Sequence, residues 1–397
     1  MPTTTSALRL SDLSPAIMQS EIRAMTVECA ALVDPKTGKS CGINMAQGVC
    51  DTDPPLPVVD AAIQAIRDGH NIYTRLEGLT DLRQAIAQKL AVDNCISVDP
   101  DSQVLVTSGA TGGMHAACMA LLNPGDEVIV FEPFYGYHNS TLLSMRVQPV
   151  VVSLTAPDWA LDAAALRKAI THRTRAIIIN SPGNPAGNVF SRMELQAIAD
   201  AAIAADLFVI TDEIYEYFLY DAAEHISPAT LPGMAERTIT LGGFSKTFSV
   251  TGWRLGYLAA DARWMGSIGY FHDLTYVCAP SPLQYGAAAG LLALPPSFYS
   301  AMASEYQAKR DLLCSALQEI GMTPSVPRGA YYVLADSTRV AGANAKEKAR
   351  NLMRQTGVAS VAGTAFFSGG RGENILRFCF AKKDEDLHEA CRRLRAL

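Results

Sequence analysis

The sequence predicts an α/β fold: a large domain on a seven-stranded, mainly parallel sheet, with a smaller α+β domain after it. Between residues 104 and 260, seven short apolar runs recur, most of them separated by stretches with helical spacing. Runs that are apolar throughout suit strands buried on both faces, which is how a parallel sheet lies between helices. Beyond Pro280-Ser-Pro282 the pattern changes to one long amphipathic stretch and then to mixed pieces. A chain of 397 residues also exceeds what one core usually holds, so two domains are expected.

Taken in order, residues 1–47 carry no sheet pattern and are expected to pack on the smaller domain. Residues 48–297 form the large domain, with apolar runs at 104–107, 128–131, 150–154, 176–180, 207–211, 238–241 and 255–259. Polar punctuation gathers at the ends of these runs, at Gly109, Tyr135, Asn184, Asp212 and Lys246. Parallel sheets present ligands at their carboxyl ends, so these residues mark the site. A helix is expected from Met114 to Leu122, after the glycine-rich turn. Residues 298–397 comprise a linking helix over 298–320 that stops at Gly321, then strand-like pieces at 330–335 and 375–381 with two helices.

Composition narrows the function classes. Hydrophobic residues make up 49% and charged residues 18%, and the net charge is −6, which disfavours nucleic acid and anionic membrane as partners. The nine cysteines form no CxxC pair and no cluster with histidine at ligand spacing, so free thiols are expected rather than disulfides or a metal site. The first 25 residues lack an apolar signal core, and no run is long enough to span a bilayer. A cytoplasmic location is the expectation.

The chemistry centres on Lys246. It stands in Gly243-Phe-Ser-Lys246-Thr-Phe-Ser, with Arg254 eight residues on. Small residues around it let a planar ligand approach, and an amine beside a fixed cation loses proton affinity, as Schiff-base formation requires. A carbonyl for the amine and a phosphate for the guanidinium together suggest pyridoxal 5′-phosphate (PLP). The turn Ser108-Gly109-Ala110-Thr111-Gly-Gly113, between a strand and a helix, suits a phosphate cradle. It also mimics a dinucleotide-binding turn, with Glu132 about 20 residues on. The glycine spacing is wrong for that, and no nicotinamide chemistry follows. An acid at a strand end, Asp212, could keep a pyridine nitrogen protonated. Arg377, in an otherwise apolar strand, needs an anion: a ligand carboxylate or an internal salt bridge.

With these residues in this order, the chain resembles the class I and II aminotransferases of the aspartate aminotransferase superfamily, the fold-type-I PLP enzymes. The resemblance covers residues 40–395 and is strongest to the kynurenine, aromatic and methionine/glutamine transaminases. It implies that Lys246 holds PLP, with Asp212 and Tyr215 as its catalytic companions. It implies further that Tyr135 stacks on the pyridine ring and that Asn184 and Tyr215 hydrogen-bond the ring oxygen. Gly109, Ala110, Thr111 and Arg254 would hold the phosphate, joined by Tyr73 from a partner subunit, hence a homodimer with shared sites. Gly48, Asn184 and Arg377 would bind the substrate carboxylate. Two departures stand out: Cys50 replaces the family proline after Gly48, and Gly243 replaces a frequent phosphate-binding serine.

The implied reaction moves an α-amino group to a 2-oxo acid in a ping-pong cycle. A C–S β-lyase shares every residue named, and a DNA-binding regulator of this fold would need an added segment and a basic patch. Some relatives with acidic substrates carry a lysine where this chain has Thr111, so neutral or aromatic substrates are expected. Arg75 is the residue that could reach across a dimer and reverse that expectation.

Overall fold

The computed structural model describes residues 9–14, 20–34, 36 and 38–397. Seven strands form the large sheet: β1 (Val104–Thr107), β2 (Glu127–Glu132), β3 (Gln148–Ser153), β4 (Thr174–Asn180), β5 (Phe208–Asp212), β6 (Thr238–Gly243) and β7 (Gly256–Ala259). Their spatial order is β1-β7-β6-β5-β4-β2-β3. Neighbours are parallel except β7, which runs antiparallel to both β1 and β6. Central strands are apolar on both faces: Ile177 and Ile179 pack into one core, Ile178 and Ile210 into another. Full burial of such β-branched residues stabilises by about 1.5–3 kcal/mol each.

β4, β5 and β6 end on a common edge. Asn180 is level with Asp212, and Asp212 with Leu241, so three carboxyl ends open side by side. The sequence set Asp212 at a strand end, and it is the last residue of β5. The short helical turn Phe244–Thr247 follows β6 directly and carries Lys246.

The helix after β1 begins earlier than the expected Met114. It runs from Gly109 to Leu121. Glycines read as a turn, yet here they permit close packing. A Cβ on Gly113 would meet Leu241 at 3.1 Å, and one on Gly112 would meet Tyr276 at 3.2 Å. Tertiary packing overrides weak helix propensity.

A second sheet joins β8 (Pro324–Ser325), β9 (Tyr332–Asp336), β10 (Val361–Ala362) and β11 (Ile375–Cys379) in the order β10-β11-β9-β8, all antiparallel. The long helix Pro296–Glu319 precedes it. Helix α1 (Glu21–Ala30) buries Met25 and Cys29 in the same core as Leu313, Leu352 and Phe378. Ile43–Asn44 pairs in parallel with Val358–Ala359. No helix among the described residues is long and apolar enough to cross a membrane, and all nine cysteines are free.

Candidate active site

A cavity of about 880 Å³ opens above the ends of β4, β5 and β6, within the range of small-molecule sites. Among the predicted residues, Lys246, Asp212, Tyr215, Tyr135, Asn184, Arg254 and Arg377 line it, as do Gly48, Ala110 and Thr111. Gly109 is not among its walls but packs against Arg254, which is. Tyr73 is not among its walls and is 78% exposed. Arg75 lies outside too, exposed and paired with Glu77 at 3.2 Å.

The Nζ of Lys246 donates to the Gly48 carbonyl at 3.1 Å and lies 5.8 Å from the centre of the Tyr331 ring. Burial lowers its pKa most, and Arg254 lowers it further by a smaller amount, while Cys50, Cys379 and Asp212 act in the opposite sense. The sequence argument credited the arginine. Burial is the larger cause, because an ammonium loses its hydration there.

Asp212 faces His138, whose Nε2 lies 3.1 Å from its Oδ2, and both are buried. Asn180 ties the strand ends together: its Nδ2 donates to the Asp212 carbonyl at 3.1 Å, and its Oδ1 accepts from the Asn184 amide at 2.7 Å. The Tyr215 hydroxyl lies 3.0 Å from that of Tyr332. Burial pushes the Tyr215 phenol well above its usual range, with Tyr332 adding to the shift. Tyr135 packs edge-on against His138 at 5.2 Å, and burial raises its phenol too.

Arg377 is fully buried, clamped between the Tyr332 and Phe366 rings at 4.4 and 4.7 Å. Its Nη1 donates to Asn184 Oδ1 at 3.0 Å and its Nη2 to the Ala46 carbonyl, while its Nε has no partner. No carboxylate among the described residues pairs with it, which disposes of the internal salt bridge. A buried guanidinium without a counter-ion is costly unless a ligand supplies one.

Arg254 and the start of the Gly109–Leu121 helix meet by contact rather than sequence proximity. Gly109 has φ +71°, and a Cβ there would stand 2.7 Å from Arg254 Nη2. Arg254 Nη1 is steadied by the Thr251 carbonyl at 3.1 Å. The amides at the start of the Gly109–Leu121 helix therefore meet a guanidinium, a pairing suited to phosphate. A half-buried amine, a buried acid and this cradle in one cavity fit PLP.

Sequence reasoning missed His138, Asn180, Tyr332 and Tyr331. His138 had a visible signal, three residues after Tyr135 on a helix that starts at Gly136. The two tyrosines stand adjacent near β9, far from every motif, and nothing local marks them.

A family model described as aminotransferase class I and II matches residues 41–394. The chain is 38% identical over 367 residues to a probable N-succinyldiaminopimelate aminotransferase of Mycobacterium tuberculosis, covering 89% of this chain and 92% of that one. It is 36% identical over 389 residues to an aspartate aminotransferase of Pyrococcus abyssi, covering 98% and 97%. The solved structure of N-succinyldiaminopimelate aminotransferase from Mycobacterium tuberculosis superposes with a TM-score of 0.92 at 36% identity, covering 98% of this chain and 100% of that one.

Proposed function

The chain belongs to the class I and II aminotransferases, which work through PLP, and on that premise we propose that it moves the α-amino group of a neutral or aromatic L-amino acid to a 2-oxo acid in a ping-pong cycle. One observation carries the reading: Arg377 is buried without a carboxylate partner in the cavity that holds the Lys246 amine. An amino acid supplies both groups that this pair lacks, a carboxylate for the guanidinium and a Cα proton for the amine.

Bound in the cavity, PLP supplies an aldehyde for the amino group and a ring that draws electrons from Cα. Lys246 Nζ, its proton affinity lowered by burial, takes and returns the Cα proton. Asp212, braced by His138, keeps a proton on the ring nitrogen. Tyr215 and Asn184 would hydrogen-bond the ring oxygen, and Tyr135 would lie beside the ring. Arg254 and the amides of Gly109, Ala110 and Thr111 would hold the phosphate. Arg377, oriented by Asn184, and the Gly48 backbone receive the substrate carboxylate.

Apolar lining supports a neutral side chain: Phe366 packs against Arg377, Phe134, Tyr137, Ile214 and Phe367 line the same cavity, and Thr111 brings no charge. We place the enzyme in the cytoplasm as a homodimer. Support for the dimer comes from large apolar side chains left in water, Ile72 and Tyr73 each 78% exposed and Leu274 62% exposed, which a second copy would cover. Tyr73 would then reach the partner's phosphate. Size-exclusion with light scattering should give about twice the chain mass.

The relatives named for aspartate and N-succinyldiaminopimelate favour a second reading, an acidic donor. A donor panel decides between them, scored by conversion of the bound aldehyde to the amine form. Phenylalanine or methionine should have a higher specificity constant than aspartate or glutamate. Release of pyruvate and ammonia without an added 2-oxo acid would point to a β-lyase instead.

A further inference from the structure

Glu132 ends β2 two residues before Phe134, a wall of the cavity, and is 1% exposed. Both of its carboxylate oxygens are held by the connection between β10 and β11, residues 363–374. Oε1 accepts from the Ser368 amide, and Oε2 pairs with the Arg371 guanidinium. Ser153, level with Glu132 on β3, donates its hydroxyl to Oε2 at 3.4 Å and accepts from Arg371 Nη1. Arg371 is also drawn back onto its own loop, its Nε to the Ser368 carbonyl at 3.3 Å and its Nη2 to the Ser368 hydroxyl at 3.2 Å.

The same loop supplies walls of the cavity: Thr364, Ala365, Phe366 and Phe367. The Phe366 carbonyl accepts from the Phe134 amide at 3.0 Å, and the Phe366 ring lies 4.7 Å from the Arg377 guanidinium. Phe367 tilts against the buried Trp159 ring at 5.9 Å. Glu132 is therefore tied to Arg377 through one short loop. The phosphate cradle, where Arg254 meets Gly109, lies on other elements.

We propose that Glu132 is a positioning residue: its ion pair with Arg371 latches the loop to the large sheet, so that Phe366 stays on Arg377 and the substrate carboxylate meets a fixed guanidinium. The inference rests on Arg377 as the carboxylate site. A buried carboxylate left unpaired is costly, so the acid and the loop hold one another. A guanidinium stacked between two rings is ordered before the substrate arrives. One that has lost a ring must be ordered on binding, and affinity falls by that cost.

The test uses 3-phenylpropanoate, an inert carboxylate with a neutral side chain, and calorimetry on the PLP-loaded enzyme. Glu132→Gln keeps the shape and an acceptor for the Ser368 amide but removes the charge that pairs with Arg371. It should bind the probe about tenfold more weakly, the scale of one charge-assisted contact. PLP affinity should stay within about twofold of wild type, since the cradle shares no partner with the latch. Arg371→Gln, at a side chain half open to solvent, should lose the same factor for the probe. The double variant should be no weaker than either single one, because the two side chains act as a unit. Trp159 emission, read as the difference from Trp159→Phe in each background, should shift to the red as the loop lifts from it. Wild-type affinity for the probe in either single variant overturns the proposal, as does an unshifted Trp159 emission. So do losses that multiply in the double variant, or a loss of PLP affinity as large as that for the probe, which a general structural role would give. Arg377→Gln keeps the two readings apart and should abolish binding of the probe. If the probe still binds, the carboxylate site assigned to Arg377 fails, while the Trp159 shift and the coupling still decide the latch.

Discussion

Arg254 Nη2 lies 2.7 Å from the point a Cβ on Gly109 would occupy, and Gly109 has φ +71°. Two constraints thus meet at one glycine: a left-handed backbone, and a guanidinium pressed against it. Gly109→Ala should strain the backbone by about 1–2 kcal/mol and push Arg254 away from the helix start. Cofactor affinity should fall at least about tenfold, read by titrating the apo-protein with PLP. Gly125→Ala is the control, since Gly125 has φ +91° and open space around it. It should cost stability and leave PLP affinity unchanged. Equal affinity losses in both variants would mean that strain, not the cradle, is being measured.

Lys246 should carry the cofactor covalently. Borohydride treatment of the loaded protein, followed by peptide mapping, should place the pyridoxyl mass on Lys246. The buried lysines are committed elsewhere, Lys89 to Glu216, Lys309 to Glu305, Lys348 to Asn374 and Lys382 to Asp51. A label on any of them would overturn the assignment. Lys246→Ala should abolish transfer while PLP still binds through Arg254 and the helix start.

The Asp212–His138 pair separates charge from positioning. Asp212→Asn removes the negative partner of a protonated ring nitrogen, so transfer should fall by orders of magnitude with the cofactor retained. His138→Leu leaves the carboxylate but loses the 3.1 Å contact. Its cost should be smaller, roughly 10- to 100-fold in kcat, the scale of a hydrogen bond to a charged group. Near-normal turnover in Asp212→Asn would mean that another acid faces the nitrogen.

What the sequence disclosed follows from how far apart the interacting groups lie along the chain. Lys246, Asp212 and Asn184 were legible because short polar motifs follow apolar runs, and a parallel sheet brings such ends together. Arg377 was legible because a lone cation in an apolar strand demands an anion. Tyr332 was not: it meets Tyr215 only because β9 is folded over the cavity, 117 residues away in sequence. The direction of β7 was equally hidden, since apolar runs fix burial and leave strand sense open. The lowered proton affinity of Lys246 was foreseen, but burial, its larger cause, belongs to the folded molecule.

The Ser108 amide, just ahead of the cradle, donates to His272 Nε2 at 3.0 Å. His272 is fully buried and its Nδ1 has no partner. Burial pushes its pKa down from 6.5 to about 4, with Asp273 opposing weakly. Because the folded pKa is the lower one, the unfolded chain binds more protons between those values, and stability rises with pH there. The contribution is complete above about pH 6.5 and is lost as pH falls towards 4, on the order of 3 kcal/mol in all. Protonation also removes the Nε2 acceptor, so the Ser108 amide loses its partner and the cradle loosens. Thermal midpoints of the loaded enzyme should therefore drop between pH 6.5 and 4.5, with PLP affinity falling in parallel. His272→Phe should be less stable at pH 7 but show a shallower decline across that interval. An unchanged slope in His272→Phe would assign the acid sensitivity to another group and leave His272 a packing residue.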